Sequence, residues 1–287
     1  MNDNAKGISL GALGVLLISP DSLILRLIDC DDYAVVVVRA FMMAVVIAVL
    51  IVCFPRLRRG FRWRPLLHYG LWVGLGIFCF PLSIKNTHVA NTLVILAVAP
   101  ILAAVGAWIF LNERISRPTW AAAAAVGLGV GVIFADKVSG GGLWGDFLAL
   151  ITALSLAACS IIIRKNQDIA FVPGLIIGAV LSALLFLPFA DWTTVDRQDA
   201  LWMLVNGAVI MPFSYLLITA ASRLLLPPEV NLLFLLETAL GPLWVWLVLA
   251  EEPPVNTMIA GALVIGIVLL HSIRTLRRLR NKPLAAK

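Results

Sequence analysis

The sequence predicts an all-α integral membrane protein with ten transmembrane helices in two inverted repeats of five, and both termini in the cytoplasm. Three observations carry this prediction. The 287 residues are 61% hydrophobic and only 13% charged, with a mean hydropathy of +1.00, which is far too apolar for a soluble domain. Long apolar runs alternate with short polar connections. Charged and small residues recur when the second half is moved back by 139 positions.

The repeat is visible in four residue pairs at this offset. Arg26 aligns with Lys165, Asp29 with Asp168, Glu113 with Glu252, and Gly127 with Gly266. Because five is an odd number of crossings, the two copies must cross the membrane in opposite directions. Inverted repeats are typical of secondary transporters, which bind substrate where the repeats meet. We predict a first repeat over 1–137, a Gly-rich link over 138–142 and a second repeat over 143–287.

The first repeat contains five runs long enough to cross a bilayer, which takes about 20 apolar residues. They are 7–27, 33–54, 66–85, 88–111 and 118–136. The Asp31–Asp32 pair separates the first run from the second, and arginines around Arg58 separate the second from the third. Lys85 ends the third run, and Glu113 follows the fourth.

The second repeat contains the matching five runs. They are 143–164, 170–190, 200–221, 228–250 and 254–273. The fifth and tenth runs are rich in Gly and Ala and have no charged residue in their centres. Small faces allow helices to approach closely, so we predict that these two helices serve as scaffold or as a dimer interface.

Lysine and arginine are distributed unevenly between the two sides of this topology. Seventeen of the 22 fall on the side of the termini, and five fall on the other side. Those five are Arg26, Arg39, Lys85, Lys137 and Arg197. The positive-inside rule then places both termini in the cytoplasm. This distribution explains the net charge of +6 without nucleic-acid binding.

Polar, aromatic and proline residues concentrate in predicted helices 1, 3, 4, 6, 8 and 9. Five prolines interrupt apolar stretches there, namely Pro20, Pro81, Pro100, Pro212 and Pro242. Proline removes a backbone hydrogen bond, and a carbonyl freed inside a bilayer must be satisfied by protein or water. These helices are therefore expected to surround a cavity.

Glu237 is the most informative single residue, because it lies near the middle of predicted helix 9. A carboxyl at that depth costs about 2.5–3.5 kcal/mol on insertion scales unless it is paired or hydrated. It either binds a substrate ammonium group, exchanges a coupling proton, or is a neutral structural carboxyl. Gly241 and Trp244 follow on the same helical face.

Further candidates for the cavity wall come from the other helices. In predicted helix 3, Trp72, Gly76, Cys79 and Ser83 form one face, with helix packing as the alternative interpretation. The remaining candidates are His88, Asn91, Ser155, Asn206, Phe213 and Tyr215. His88 equally fits an interfacial position at the start of a helix. Asp21 is close enough to the outer edge for a role at the mouth of the cavity.

Catalytic and cofactor motifs are missing from the sequence. There is no GxxxxGK[ST], HExxH or GxSxG sequence, and the glycines at 127–131 lie inside a predicted helix with no preceding strand. The four cysteines are scattered, which fits neither a zinc site nor a disulfide framework. We therefore predict no enzymatic activity, no cofactor and no metal.

Two segments in each repeat resemble the EamA type of the drug/metabolite transporter superfamily. In the first repeat they are Asn91–Pro100 and the sequence from Leu111 to Ser116; in the second they are Leu236–Trp244 and Glu251–Pro254. The resemblance implies ten helices, a central cavity lined by helices 1, 3, 4, 6, 8 and 9, and efflux of metabolites across the inner membrane. It extends to the amino-acid exporters, including the aromatic amino-acid branch. The two repeats differ from each other at two places. Pro253–Pro254 of the second repeat stands where the first repeat has Arg114–Ile115, and Glu237 of the second repeat aligns with Val98 of the first.

The leading functional hypothesis is a secondary transporter that exports amino acids or similar small metabolites by alternating access. In this hypothesis the partners are the substrate and the lipid bilayer, and the protein is a monomer or homodimer. Export of other metabolites or drugs is an alternative. A nucleotide-sugar carrier is disfavoured, since no Lys or Arg lies in the central parts of the predicted helices. A membrane receptor or scaffold is the alternative from another functional class.

Overall fold

The computed structural model describes residues 3–112 and 142–250, with six isolated positions between 252 and 266, and these parts are helical throughout apart from short connections. Eight of their segments are long and apolar enough to span a membrane. They are Ala5–Leu27, Asp32–Cys53, Trp63–Asn86, Val89–Leu111, Leu143–Lys165, Val172–Phe189, Arg197–Ser222 and Pro227–Leu249. The all-helical membrane fold is thus confirmed. Predicted helix 118–136 and most of 254–273 lie outside the described residues.

Several of these spans consist of more than one helix. The helices are α1 (Asp3–Ile18), α2 (Asp21–Leu27), α3 (Asp32–Cys53), α4 (Trp63–Asn86), α5 (Val89–Leu96), α6 (Ala99–Leu111), α7 (Leu143–Lys165), α8 (Val172–Phe186), α9 (Arg197–Val205), α10 (Met211–Ser222), α11 (Pro227–Leu233) and α12 (Leu235–Leu249). A π-helical turn, Asn206–Ile210, joins α9 to α10. Short 3₁₀ turns cover Pro55–Arg58, Leu187–Phe189 and Trp192–Thr194.

Proline explains three of the four interrupted spans. Pro20 separates α1 from α2, Pro100 follows the break between α5 and α6, and Pro212 follows the π-helical turn. A proline ring clashes with the carbonyl four residues earlier, and for Pro100 that residue is Leu96, where α5 ends. Pro81 and Pro242, by contrast, lie inside continuous helices.

A close helix crossing joins α4 to α8 through two glycine pairs, with the glycines of each helix spaced four apart. Gly70 and Gly74 face Gly174 and Gly178. A Cβ at Gly178 would lie 2.6 Å from the Gly70 carbonyl oxygen and 2.9 Å from the Gly74 nitrogen, both backbone atoms. The Ser182 hydroxyl donates across the crossing to the Gly74 carbonyl at 2.9 Å. Glycine is therefore required here for the two backbones to meet.

The sequence predicted close packing through small residues in other parts of the chain, namely in predicted helices 5 (118–136) and 10 (254–273). Gly127 lies outside the described residues. Gly266 is described, and a Cβ added there would meet no atom of the described chain within 4 Å. The close packing predicted at Gly266 is thus not found in the part of the chain that the structure describes.

Replacing Gly178 with Leu is expected to prevent normal folding, because the new side chain would overlap backbone that cannot rotate away. Gly266→Leu is the matched control and should leave the protein intact. The measurement is the monodisperse fraction of each variant on size-exclusion chromatography after detergent extraction. A Gly178→Leu protein that elutes like the wild type would contradict the required close approach.

The two ends of the bundle carry opposite charges. We call the end with Asp29, Asp31, Asp32, Asp191, Asp196 and Asp199 the acidic end, and the end with Arg56, Arg58, Arg59, Arg62 and Arg64 the basic end. At the acidic end Lys85 donates to the Ile28 carbonyl at 2.5 Å, and the Asp29 amide donates to Asp199. At the basic end Arg62 pairs with Asp168. By the positive-inside rule we expect the basic end to face the cytoplasm.

Cysteine labelling tests this orientation. In a Cys53→Ser background, a cysteine at exposed Gln198 should react with a membrane-impermeant maleimide added to sealed cells, and one at exposed Arg59 should not. Native Cys30 also lies at the acidic end but should stay silent, since burial raises its pKa to about 11 and maleimides need the thiolate. Labelling of the cysteine at position 59, without labelling of the one at position 198, would show that the orientation is the reverse of the one expected.

Candidate functional site

A cavity of about 70 Å³ lies in the centre of the described bundle. Its wall is formed by α1, α2, α4, α5, α7, α10, α11, the α11–α12 junction and α12, which belong to six spans. These are the predicted helices 1, 3, 4, 6, 8 and 9. Ile18, Leu96 and Phe234, three of the lining residues, stand at the breaks of their spans. Discontinuous helices at the membrane centre are where transporters of inverted-repeat architecture bind their substrates.

Two carboxyl groups line this cavity. Glu237 lies in the first turn of α12 and is 3% exposed, and Asp21 begins α2 and is 2% exposed. Among the described lining residues there is no Lys, Arg or His. The wall is otherwise apolar or aromatic, with hydroxyl and amide groups between the rings. Such a site is suited to a small molecule that carries a positive charge on an apolar body.

Asp21 belongs to a buried polar cluster of three residues. Arg39 Nη2 pairs with Asp21 Oδ1 at 2.6 Å, and Arg39 Nε donates to Asn206 Oδ1 at 2.7 Å. Asn206 Nδ2 closes the triangle on Asp21 Oδ1 at 2.5 Å. All three side chains are buried, so the ion pair is held away from solvent. The cluster fixes the start of α2 against α3 and the π-helical turn.

Local backbone geometry explains how Asn206 reaches this cluster. It opens the π-helical turn, and Gly207 follows it against α3. A Cβ at Gly207 would lie 2.8 Å from both Cα and the carbonyl oxygen of Arg39. The glycine therefore allows the turn to press onto α3, and π-helical turns of this kind are frequent at functional sites.

Two sequence-based assignments are corrected by this cluster. Arg39 was counted among the five positive charges on the side opposite the termini, whereas it is buried inside α3 with 2% exposure. Asp21 was placed at a solvated mouth, whereas it is buried on the central wall. In both cases the sequence could not show the partner, which lies 18 residues away and neutralises the charge.

Of the predicted site residues, Asp21, Ser155, Tyr215 and Glu237 line the cavity. The helix 3 stripe is displaced, because α4 turns Tyr69, Val73, Gly76 and Phe80 inward instead of Trp72, Cys79 and Ser83. The Trp72 carbonyl accepts from Ser155, and Cys79 borders a groove near the acidic end. Ser83 is satisfied by Thr92 and the Gly145 carbonyl.

The other predicted residues also lie away from the cavity wall. Asn206 is in the buried cluster, and Asn91 donates to Thr87. His88 is exposed at the N-cap of α5. Phe213 is 42% exposed, so it faces away from the bundle. The part of α12 that follows Glu237 packs on α2 and α5. Trp244 lies on this part of α12, where it is 38% exposed and its Nε1 lies 3.3 Å from Ser19 Oγ.

Four polar residues are among the lining residues that sequence reasoning missed. Tyr69 comes from α4, Thr219 and Ser222 from α10, and Asn231 from α11. The spacing of Tyr215, Thr219 and Ser222 by four and three residues is the signal that would have found the α10 face. Asn231 follows the Pro227–Pro228 pair in a short helix, so no periodicity identifies its face.

An aromatic layer closes the cavity toward the basic end. Tyr69 packs against Phe171 with ring centroids 5.1 Å apart, and its hydroxyl lies 3.3 Å from that of Thr219. Thr219 also lines a groove on the far side of this layer, together with Lys6, Arg56 and Arg223 of the basic end. The side chains of Tyr69, Phe171 and Thr219 therefore separate the cavity from the basic end.

Comparisons with known proteins agree with this architecture. The model of a family described as the EamA-like transporter family matches the chain twice, over residues 5–135 and 143–273. One solved crystal structure, among 28 matching chains, superposes with a TM-score of 0.68 over 94% of this chain and 98% of the other, at 17% sequence identity. At that identity the likeness concerns the fold. No curated protein matches the sequence.

Proposed function

The chain belongs to the EamA-like transporter family, and we propose that this multi-pass membrane transporter exports amino acids or similar small metabolites across the inner membrane. The two repeats would present the cavity alternately to each side, with both termini in the cytoplasm. The observation that carries the proposal is the central cavity, whose wall comes from both repeats and holds the Glu237 carboxyl.

Charge at the cavity supports a substrate with an ammonium group. Asp21 is neutralised by Arg39 at 2.6 Å, whereas no described cation lines the cavity beside Glu237. A substrate ammonium would supply the missing countercharge. Tyr69, Phe80, Tyr215 and Phe234 offer ring surfaces to an apolar side chain.

The size of the cavity supports alternating access. Its volume of about 70 Å³ is below the roughly 300 Å³ at the lower end of ligand sites, so helices must separate to admit an amino acid. The Tyr69–Phe171–Thr219 layer closes it toward the basic end. Toward the acidic end, Arg26 donates to the Thr87 carbonyl and Thr87 donates to Asp146. Each set of contacts must open in turn.

Counterflow in proteoliposomes tests the proposal. Purified protein is reconstituted with each unlabelled amino acid inside, and uptake of the same labelled amino acid is followed. We expect trans-stimulated uptake for a subset of amino acids with apolar side chains. If no amino acid shows it, amino-acid transport is excluded and metabolite or drug panels follow.

The alternatives give different outcomes. A nucleotide-sugar carrier needs basic groups for the diphosphate, but Arg39, although buried, is committed to Asp21 and Asn206 and is not part of the cavity wall. A receptor or scaffold would bind ligand without any counterflow.

A further inference from the structure

Asn231 holds a buried hydrogen-bond acceptor of fixed orientation at the cavity wall. Its Nδ2 donates to the Pro227 carbonyl at 2.8 Å and to Ser160 Oγ at 2.9 Å. A carbonyl can only accept, so the NH₂ group must point toward Pro227 and the amide cannot flip. Asn231 is 1% exposed and lines the cavity. Its Oδ1 has no hydrogen-bond partner among the described residues.

An unpaired buried acceptor is costly, which is why such groups normally have a partner. In a binding cavity the partner can be the substrate. From this geometry we propose that Asn231 Oδ1 accepts a hydrogen bond from an N–H or O–H group on the substrate side chain. The inference rests on the proposed use of this cavity as the substrate site.

The hydroxyl groups of the wall agree with an acceptor-rich site. Four of these hydroxyl groups each donate a hydrogen bond to a backbone carbonyl, at distances of 2.6 to 2.9 Å; they belong to Thr152, Ser155, Ser160 and Ser222. Their hydrogens are thereby occupied, and only lone pairs remain for a ligand. Neutral donors come from Tyr215 and from the Tyr69–Thr219 pair. A substrate carboxylate therefore meets no positive charge on the described wall.

The positions of Asn231 and Glu237 define the ligand class. They lie six residues apart in one span, Asn231 in α11 and Glu237 in α12, on opposite sides of the break at Phe234. Glu237 binds the ammonium group at one end of the substrate, and Asn231 accepts a hydrogen bond from a donor group at the other end. The site thus selects arylalkyl amines and amino acids with a polar hydrogen on the ring, and it recognises the ammonium group rather than the carboxylate.

Four small probes that share one ring test this selection on the purified full-length protein. They are tyramine, tyrosine, phenethylamine, which lacks the hydroxyl, and 3-(4-hydroxyphenyl)propanoate, which lacks the ammonium group. Dissociation constants are measured by calorimetry, and transport by competition in counterflow. We expect tyramine to bind about ten-fold more tightly than either phenethylamine or the propanoate, and no more weakly than tyrosine.

The Asn231→Leu variant assigns the hydroxyl contact. In the variant, tyramine and phenethylamine should bind equally, so the ten-fold ratio falls to about one. Asn166→Leu is the matched control: Asn166 also donates to the carbonyl four residues back, at 2.9 Å, but lies outside the cavity wall, so the ratio should be kept. If Asn231→Leu does not fold, Asn231→Ser replaces it, since a serine hydroxyl turns back to the Pro227 carbonyl.

The outcomes separate this inference from the proposed function. A ratio that stays near ten in both Asn231 variants overturns the assignment of Asn231, while counterflow of amino acids leaves the proposed function standing. Propanoate binding as tight as that of tyramine overturns the selection for the ammonium group. Absence of counterflow with every amino acid and amine contradicts the proposed function itself.

Discussion

Arg39→Gln is expected to destabilise the protein by about 3–5 kcal/mol, the usual cost of removing one partner of a buried ion pair. Among the described residues, the Asp21 carboxylate would then keep the Asn206 amide as its one hydrogen-bond partner, and both Asp21 and Arg39 are 2% exposed. Thermal unfolding in detergent, followed by loss of the monodisperse peak, measures the effect.

Two further variants make this result specific. Adding Asp21→Asn to Arg39→Gln removes both charges, so much of the stability should return, because a neutral pair carries no uncompensated buried charge. Arg62→Gln breaks the exposed pair with Asp168, whose side chains are 53% and 68% exposed, and should cost about 1 kcal/mol or less. Equal melting shifts for Arg39→Gln and Arg62→Gln would show that burial does not strengthen the Arg39–Asp21 pair.

Glu237→Gln is expected to weaken substrate binding and counterflow about 10- to 100-fold while leaving folding intact. The substitution keeps the size of the side chain and its hydrogen-bonding capacity but removes its charge. A hydrogen bond between charged groups contributes about 1.5–3 kcal/mol, which corresponds to this range. The measurement is the concentration dependence of counterflow with the substrate found in the amino-acid screen.

Glu229→Gln is the control for this variant. Glu229 lies in the same span, and its carboxyl accepts from the Leu226 amide at the start of α11, outside the cavity wall. A glutamine can accept the same bond, so transport should stay near the wild-type level. Wild-type counterflow by Glu237→Gln across the pH range would eliminate both a charge contact and a proton-exchange role, and leave Glu237 as a structural carboxyl.

The fold could be predicted because the bilayer imposes a simple rule on sequence. About 20 apolar residues between charged or proline-rich connections define a span, and the bounds of the eight described spans agree with the predicted ones to within a few residues. Breaks inside spans were also foreseeable at Pro20, Pro100 and Pro212. The break at Phe234 has no proline within the preceding turn and could not be read from the sequence.

The candidate site was less predictable because helical periodicity does not tell which face points inward. On α4 the inward face begins at Tyr69 rather than at Trp72, a shift of three residues that exchanges nearly every side chain on the wall. Arg39 could not be recognised as buried, since an arginine near a helix end usually reaches the interface. Glu237 stood out only because a carboxyl deep in an apolar run is rare.

The glycine crossing of α4 and α8 also determines which parts of the molecule can move as bodies. Gly74 and Gly178 meet backbone to backbone, so neither helix can slide past the other without collision. Yet α4 belongs to the first repeat and α8 to the second. In the transport cycle proposed above, α4 and α8 would therefore move together although they belong to different repeats, and the protein would open along a plane that cuts through both repeats.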